Sequence, residues 1–197
     1  MHFVLVSGLL GVGKTTVIMN MMEALYESKG HRIMVIENDF GNKGIDGEVM
    51  RKYGMDVQEL KGGCICCTLK TGLIDTVRVV QANMDPDIII VEPTGIADPE
   101  IIINAMQDCS GIEIDRLSTI IVVDAERFAK IWKMFERPLR NQLKVADMVL
   151  VNKIDTVSEA DLDDIKERIR AFGFDGPVEA VQADQGINMD RLLELFP

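Results

Sequence analysis

The sequence has few aromatic residues, few histidines and little positive charge. Aromatic residues make up 5% of the 197 residues, there are two histidines, and 21 basic side chains stand against 32 acidic ones, which gives a net charge of -11. A surface of that sign repels phosphate backbones and anionic lipids, so we expect neither a nucleic-acid partner nor a membrane partner. An anionic small molecule would need a locally positive pocket.

Long apolar runs and a secretory leader are also missing. No apolar run approaches the roughly 20 residues that cross a bilayer. Met1 to Ser7 lead into a glycine-rich turn without the basic flank or cleavage site of a signal peptide. We therefore expect a soluble, cytoplasmic protein that folds as one domain over residues 1–197, long enough to bury a core without disulfides.

Short β-branched runs alternate with longer segments of helical spacing, which predicts βαβ units and a mostly parallel sheet. Strands are expected at 3–6, 33–36, 88–91, 119–123 and 148–151, with weaker candidates at 57–60 and 178–181. Helices are expected at 14–29, 69–83, 125–135 and 158–171, the last opening on a capping box of Ser158 and Asp161. Residues 38–56 are polar and glycine-rich, and we predict a mobile loop there.

The glycine-rich segment at residues 8–15 fits the pattern G-x-x-x-x-G-K-[ST] between the first strand and the first helix, and we call it the P-loop. Glycine lets the backbone wrap around phosphate oxygens, and the helix N-terminus adds its positive dipole end. Lys14 is expected to reach the β- and γ-phosphates and the hydroxyl of Thr15 to bind Mg²⁺. The expected nucleotide-binding residues here are Gly8, Gly11, Val12, Gly13, Lys14, Thr15 and Thr16. The fold class is thus α/β, a three-layer P-loop NTPase fold with a mostly parallel central sheet flanked by helices.

A base-recognition motif, Asn152-Lys153-Ile154-Asp155, follows the strand at 148–151. A carboxylate at Asp155 matches the adjacent N1-H and 2-amino donors of guanine, whereas it would face the N1 acceptor of adenine. Alone, the four residues could equally form a polar turn. Together with the P-loop they predict that GTP or GDP is preferred over ATP.

Glu92-Pro93-Thr94-Gly95 follows the strand at 88–91 and so reaches the same edge of the sheet. We expect Glu92 to act on Mg²⁺ directly or through water, and Gly95 to offer a backbone N-H to the γ-phosphate. The alternative is that this carboxylate caps the next segment, although Asp98 and Pro99 already look like a helix start.

Three thiols lie within four residues at Cys64, Cys66 and Cys67, whereas Cys109 stands alone and is expected to pack. Soft thiolates suit Zn²⁺, Cu(I), Ni²⁺ or Co²⁺. A fourth ligand could come from Glu37, Asp39, water or a second subunit. Cys64 and Cys67 also match the C-x-x-C spacing of a redox dithiol, and burial as small hydrophobes is the third interpretation.

Five motifs in this order resemble the CobW/HypB/UreG family of metallochaperone GTPases, most closely its CobW-like branch. Besides the P-loop, Glu92-Pro93-Thr94-Gly95 and Asn152-Lys153-Ile154-Asp155, they are Glu37-Asn38-Asp39-Phe40-Gly41 and Gly63-Cys64-Ile65-Cys66-Cys67. The resemblance implies slow, Mg²⁺-dependent GTP hydrolysis coupled to delivery of Zn²⁺, Co²⁺ or Ni²⁺ to a client metalloprotein or cofactor-assembly protein. It implies metal near Cys66 and Glu37, and a homodimer through nucleotide-dependent contacts.

Two departures from the CobW-like pattern stand out. First, Asp39 stands where the pattern usually has Glu, and Asn42 stands where it has an acidic residue, which weakens a carboxylate-based metal site there. Second, CobW-like proteins usually carry a C-terminal domain beyond the point where this chain ends. Glu37, Asp39 and Glu92 are all eligible to position the attacking water. Two other functions stay open: a regulatory GTPase that gates a partner enzyme without stoichiometric metal, and a metal or redox sensor that holds GTP without turnover.

Overall fold

Parallel pairing of β-strands organises the molecule. The computed structural model describes residues 1–37, 56–59, 68–95 and 97–196. Within these residues seven strands form one sheet in the order β3-β2-β4-β1-β5-β6-β7, and neighbouring strands pair in parallel. The strands are β1 His2–Ser7, β2 Ile33–Glu37, β3 Asp56–Glu59, β4 Ile88–Glu92, β5 Arg116–Asp124, β6 Met148–Asn152 and β7 Val178–Val181. All seven predicted strands are present, with ends within a few residues of the prediction.

The helices connect the strands and cover both faces of the sheet. They are α1 Lys14–Lys29, α2 Thr68–Met84, α3 Pro99–Gln107, α4 Phe128–Lys144 and α5 Glu159–Ala171. None of the helices in the described part of the chain is long and apolar enough to span a membrane.

Alternate residues of the central strands bury against opposite layers, as the two-residue period of a strand requires. Val4 and Val6 of β1 pack in a cluster with α1, whereas Phe3 and Leu5 pack in a second cluster with α2 and α3. A third cluster joins β5 and β6 to α4 and α5. The three-layer α/β fold is therefore confirmed.

Helix α4 departs most from the prediction, which ended a helix at Phe135. The helix continues to Lys144 through Pro138, with a non-helical φ of -129° at Phe135. Proline lacks a backbone donor and its ring crowds the carbonyl four residues earlier, which is that of Met134, so the chain kinks there and then resumes.

Local capping explains where two other helices begin. Asp98 accepts a hydrogen bond from the backbone N-H of Glu100 and Pro99 opens α3, so the predicted helix start is confirmed, although the nine-residue helix itself was not predicted. Ser158 and Asp161 form the predicted capping box at α5. The predicted loop at 38–56 lies almost entirely outside the described residues.

Candidate functional site

The P-loop connects β1 to α1 with its backbone in conformations that glycine permits. Gly8, Gly11 and Gly13 have φ values of 144°, 76° and 95°, in the region that side chains disfavour. Gly13 is the N-cap of α1, and among the described residues no side chain caps this helix and no acidic residue lies in its first turn. The first amide groups of α1 are thus left for an anion, which is the fit expected for a nucleotide phosphate.

Lys14, Thr15 and Glu92 are brought together beside this loop. The hydroxyl of Thr15 donates to Glu92, with Oε2 at 2.9 Å and Oε1 at 3.1 Å. The ammonium group of Lys14 lies 3.7 Å from Glu92 Oε1 and 3.5 Å from the carbonyl of Leu9. Both distances exceed the usual range of about 2.7–3.2 Å, so a phosphate oxygen can be a better partner for Lys14 than either.

The lysine and the carboxylate are both removed from bulk water. Lys14 is 6% exposed and Glu92 is 4% exposed. A buried cation beside open backbone amides is a locally positive pocket in an acidic protein, and a carboxylate at the threonine hydroxyl offers the hard oxygen ligand that Mg²⁺ prefers. The residues present therefore fit both a nucleotide phosphate and Mg²⁺.

Gly95 approaches the same loop from β4. A Cβ atom at this position would lie 2.5 Å from the backbone nitrogen of Leu10. The segment that follows β4 and the P-loop are therefore in direct backbone contact, which places the predicted γ-phosphate contact next to the predicted phosphate cradle.

The base-recognition motif contacts the P-loop from the other side. Asn152 donates from Nδ2 to the carbonyl of Val12 at 2.9 Å, and its Oδ1 accepts from the backbone N-H of Ala183 at 3.0 Å. Lys153 donates from Nζ to the carbonyl of Gly11 at 2.9 Å. Asp155 is exposed in a short 3-10 helix, Ile154–Thr156. The motif thus leaves its carboxylate accessible to a base while its first two residues support the phosphate loop.

The segment after β7 is attached to this motif. Ala183 receives a second contact, because Asn20 of α1 donates from Nδ2 to its carbonyl at 2.7 Å. Asn20 also donates to the carbonyl of Thr16 at 3.0 Å. Ala183 is therefore held between α1 and the base-recognition motif.

Two residues of the site were not predicted, Asp124 and Arg127. Asp124 is fully buried at the end of β5, where its Oδ2 accepts from Lys153 Nζ at 2.6 Å and from Arg127 Nε at 2.8 Å. Arg127 also donates from Nη2 to the carbonyl of Leu10 at 3.2 Å. The rule that singled out Glu92 and Asn152, a polar residue just after a buried strand, would also have found Asp124.

Opposing effects act on the carboxyl group of Asp124. Burial raises its pKa, but hydrogen bonds from Lys153 and from the backbone and side chain of Arg127 outweigh burial, so the pKa is lowered below its ordinary value of 3.8. Asp124 is therefore an anion at neutral pH and holds two cations against the P-loop.

Glu37 ends β2 and is 7% exposed. It is in register with Glu92 on one side and with Glu59 on the other, at the carboxyl ends of three neighbouring parallel strands. The predicted metal ligand Glu37 is thus adjacent along the sheet edge to the predicted Mg²⁺ residue.

The remaining predicted ligands, Cys64, Cys66, Cys67 and Asp39, lie outside the described residues. Within the part that is described, no group of three or more His, Cys, Asp or Glu side chains is arranged to hold a metal ion. Cys109 is partly buried, and Arg78 donates to its sulfur at 3.1 Å.

Two zinc chaperones are similar to this chain over about half of their own length. A zinc chaperone CobW from Sinorhizobium sp is 32% identical in an alignment 193 residues long, which covers 83% of this chain and 54% of that protein. The zinc chaperone YjiA of Escherichia coli is 31% identical in an alignment 186 residues long, which covers 90% of this chain and 56% of that protein. The chain therefore spans about half the length of the relatives it matches.

Two solved structures have a fold similar to that of this chain. The hydrogenase maturation factor HypB from Archaeoglobus fulgidus superposes with a TM-score of 0.72 at 16% identity, covering 99% of this chain and 88% of that one, which supports the fold alone. Zn(II)-bound YjiA GTPase from E. coli superposes with a TM-score of 0.60 at 27% identity, covering 86% of this chain and 54% of that one. The family model described as the CobW/HypB/UreG nucleotide-binding domain matches residues 2–178, and the chain belongs to this family.

Proposed function

We propose that this protein binds GTP with Mg²⁺, hydrolyses it slowly, and couples its nucleotide state to the binding and delivery of a transition metal. The observation that carries the nucleotide part is the convergence of Lys14, Thr15 and Glu92 beside an uncapped glycine-rich helix start. A phosphoryl group in this pocket meets backbone amides, a buried cation and a metal-binding hydroxyl, which are the elements that stabilise phosphoryl transfer.

Guanine is the proposed base. Asp155 is exposed at the end of β6, and Asn152 ties the same motif to the P-loop through Val12. A carboxylate there accepts both donors of guanine, whereas the adenine edge would leave it without partners. The mismatch costs about 2–3 kcal/mol, enough to prefer GTP over ATP by about two orders of magnitude.

Mg²⁺ is proposed to lie at the Thr15 hydroxyl with Glu92 beside it. Held by Thr15 and Glu92, the ion would offset the negative charge that develops on the phosphates during transfer. In the structure Glu92 accepts the Thr15 hydroxyl and faces Lys14. With the Thr15 hydroxyl on the ion and Lys14 on the phosphates, Glu92 would act on the ion or on the attacking water.

The transition metal is the proposed cargo, with Cys64, Cys66 and Cys67 and the carboxylate of Glu37 as its ligands. Support comes from relatives named zinc chaperones and from YjiA, solved with Zn(II). Zn²⁺, Co²⁺ or Ni²⁺ suit a thiolate set of this kind. Thiols bind metal only when reduced, so the proposal places the protein in a reducing compartment such as the cytoplasm. The receiving partner is a client metalloprotein or cofactor-assembly protein.

The sheet offers a physical route for coupling. Glu37 and Glu92 are in register on adjacent strands, so a shift of the end of β4 on nucleotide binding would also displace the end of β2. Metal affinity and nucleotide affinity are then linked, and by reciprocity each ligand changes the affinity for the other by the same factor.

Competition with a chromogenic chelator tests the proposal. The reduced protein is titrated with Zn²⁺ in the presence of GDP and, in parallel, of a non-hydrolysable GTP analogue, and GTP hydrolysis is followed with and without metal. We expect hydrolysis of GTP and a metal affinity that differs between the two nucleotide forms. The variant Cys66→Ala should lose this affinity, whereas Cys109→Ala, which removes the remaining cysteine, should keep it.

The other outcomes point to the alternatives. Hydrolysis without metal binding above that of Cys66→Ala would contradict the metallochaperone function and favour a regulatory GTPase. Metal binding without hydrolysis, even with partner present, would favour a sensor. Equal metal affinity in both nucleotide forms would contradict the coupling.

A further inference from the structure

Three successive carbonyl groups of the P-loop each accept a hydrogen bond from the side chain of a distant segment. Leu10 accepts from Arg127. Gly11 and Val12 accept from Lys153 and Asn152. A peptide group whose carbonyl is held outward turns its N-H the other way, so these contacts orient the amides that a phosphate needs.

We infer that Asp124 and Arg127 form a brace that holds the P-loop carbonyls outward and thereby sets the affinity of this protein for nucleotide phosphates. Arg127 is a positioning residue in this inference, since it touches the loop and not the phosphate. The inference rests on the proposed nucleotide-binding function, and it assigns a role to two residues outside the motifs that bind nucleotide.

The geometry of the turn after β5 makes the brace rigid. Asp124 Oδ1 accepts from the backbone N-H of Arg127 at 3.0 Å, while Oδ2 accepts from its Nε at 2.8 Å. One bond fixes the backbone of Arg127 and the other fixes the Nε side of its guanidinium group, so together they set the direction of the side chain. The far nitrogen, Nη2, then reaches the carbonyl of Leu10.

Gly11 shows how closely the guanidinium covers the loop. A Cβ atom at Gly11 would lie 3.2 Å from Arg127 Nη2 and 3.5 Å from Nη1. The arginine is 41% exposed and Asp124 is not exposed, so one end of the brace is anchored in the core and the other lies on the loop. Lys153 joins the same carboxylate and reaches Gly11, which makes Asp124 the shared anchor of both cations.

Two features separate the brace from an arginine that contacts phosphate itself. The brace acts on the loop that cradles the β-phosphate, so its loss should weaken GDP and a GTP analogue equally. It also requires a side chain that bridges Asp124 and Leu10 at once. Lysine keeps the charge but has one nitrogen, so it cannot reproduce the fork.

The test compares Arg127→Met and Arg127→Lys with wild type by isothermal titration calorimetry with GDP, with a non-hydrolysable GTP analogue and with inosine diphosphate. Arg168→Met is a matched control, because Arg168 also donates from Nε to a nearby aspartate, Asp164, at 2.8 Å and is 42% exposed, but lies on α5 away from the P-loop. Phosphorus NMR of bound GDP reports the surroundings of the β-phosphate, and thermal melting without nucleotide confirms that each variant folds.

We expect both Arg127 variants to bind GDP and the GTP analogue about tenfold more weakly, the effect of one charge-assisted hydrogen bond. The ratio of GDP to inosine diphosphate affinity should not change, since the base motif is intact. The chemical shift of the β-phosphorus of bound GDP should differ from wild type in Arg127→Met and equal wild type in Arg168→Met.

Three results would overturn the brace: wild-type GDP affinity in Arg127→Met, wild-type affinity and resonance in Arg127→Lys, or a loss confined to the GTP analogue. The second result would mean that a positive charge at this position is sufficient for nucleotide binding. The third would mean that Arg127 contacts the γ-phosphate itself. A wild-type protein that binds no guanine nucleotide would overturn the proposed function and the brace together, whereas normal wild-type binding with unaffected variants overturns only the brace.

Discussion

Gly95 and Leu10 lie in backbone contact although 85 residues separate them: a Cβ atom at Gly95 would stand 2.5 Å from the nitrogen of Leu10 and 3.1 Å from its Cα. Backbone cannot move aside as the end of a side chain can. The segment after β4 and the P-loop must therefore shift together, which makes Gly95 a junction between Glu92, the proposed Mg²⁺ residue, and the proposed phosphate cradle.

The substitution Gly95→Ala should accordingly impair nucleotide binding. A methyl group forced against the loop costs about 1–3 kcal/mol, so we expect GDP affinity to fall by about tenfold or more. Titration with GDP measures this. The control is Gly72→Ala, because Gly72 lies in α2 with nothing within 4 Å of its added Cβ, and there alanine should raise stability by about 0.5–1 kcal/mol. Wild-type affinity in Gly95→Ala would show that the loop yields without cost.

Glu92→Gln should slow GTP hydrolysis more than it weakens nucleotide binding. The amide keeps the size of the side chain and one acceptor for the Thr15 hydroxyl but loses the charge that faces Lys14 and the proposed Mg²⁺. We expect kcat to fall by about 100-fold, with GDP affinity changed by less than about threefold. Steady-state hydrolysis across a range of Mg²⁺ concentrations separates the two effects.

Glu100→Gln is the matched control for Glu92, since Glu100 is an exposed glutamate in the first turn of α3. Its hydrolysis should stay at the wild-type level. A full loss of binding in Glu92→Gln, with no separate effect on kcat, would instead assign Glu92 to holding the pocket together.

The parts of the site that sequence predicted are those carried by local pattern. Lys14 and Thr15 follow a glycine-rich loop, and Glu92 and Asn152 follow apolar strands, so the parallel sheet alone brings them to one edge. Helix α1 has the predicted bounds because its apolar residues repeat with helical spacing between glycines at both ends.

Contacts between distant segments escaped prediction. Arg127 is 117 residues from the carbonyl of Leu10 that it binds, and no spacing rule connects the two. The predicted end of the helix at Phe135 was wrong, because packing of Leu139 and Leu143 against β5 and β6 carries α4 past Pro138 to Lys144. The cysteine ligands stay a prediction, since Cys64, Cys66 and Cys67 lie outside the described residues.

Asp155→Asn should exchange the base that the protein prefers. The amide can donate to the 2-oxo group of xanthine, whereas it meets the 2-amino group of guanine with a donor. We expect GDP affinity to fall by about 100-fold and xanthosine diphosphate affinity to rise by a similar factor. Paired titrations measure both, and Asp163→Asn, an exposed aspartate of α5, is the control. Loss of both nucleotides would mean that Asp155 supports the fold of the motif and does not read the base.

His2 should make the protein less stable as the solution becomes mildly acidic. Its ring is 8% exposed, lies with Nε2 2.9 Å from Ser118 Oγ, and packs 5.1 Å from the ring of Phe196. Burial, followed by the positive charges of Arg116, the amino terminus and His31, lowers the pKa of His2 from 6.5 to about 4. Because the folded pKa lies below the unfolded one, the unfolded chain takes up the proton first, and stability is lost as pH falls from 6.5 towards 4.

The free energy of unfolding in urea should therefore be compared at pH 7.5 and pH 5 for wild type and for His2→Gln. The amide of glutamine can replace Nε2 opposite Ser118 but carries no titratable proton. Between pH 7.5 and pH 5 the histidine should account for about 2 kcal/mol of lost stability. The decrease in the free energy of unfolding over this interval should therefore be smaller in the variant by about that amount. Carboxyl groups titrate in both proteins and cancel in the comparison. An equal loss in wild type and variant would mean that the folded protein accommodates a protonated His2, and the acid sensitivity would then have to arise from the carboxylates.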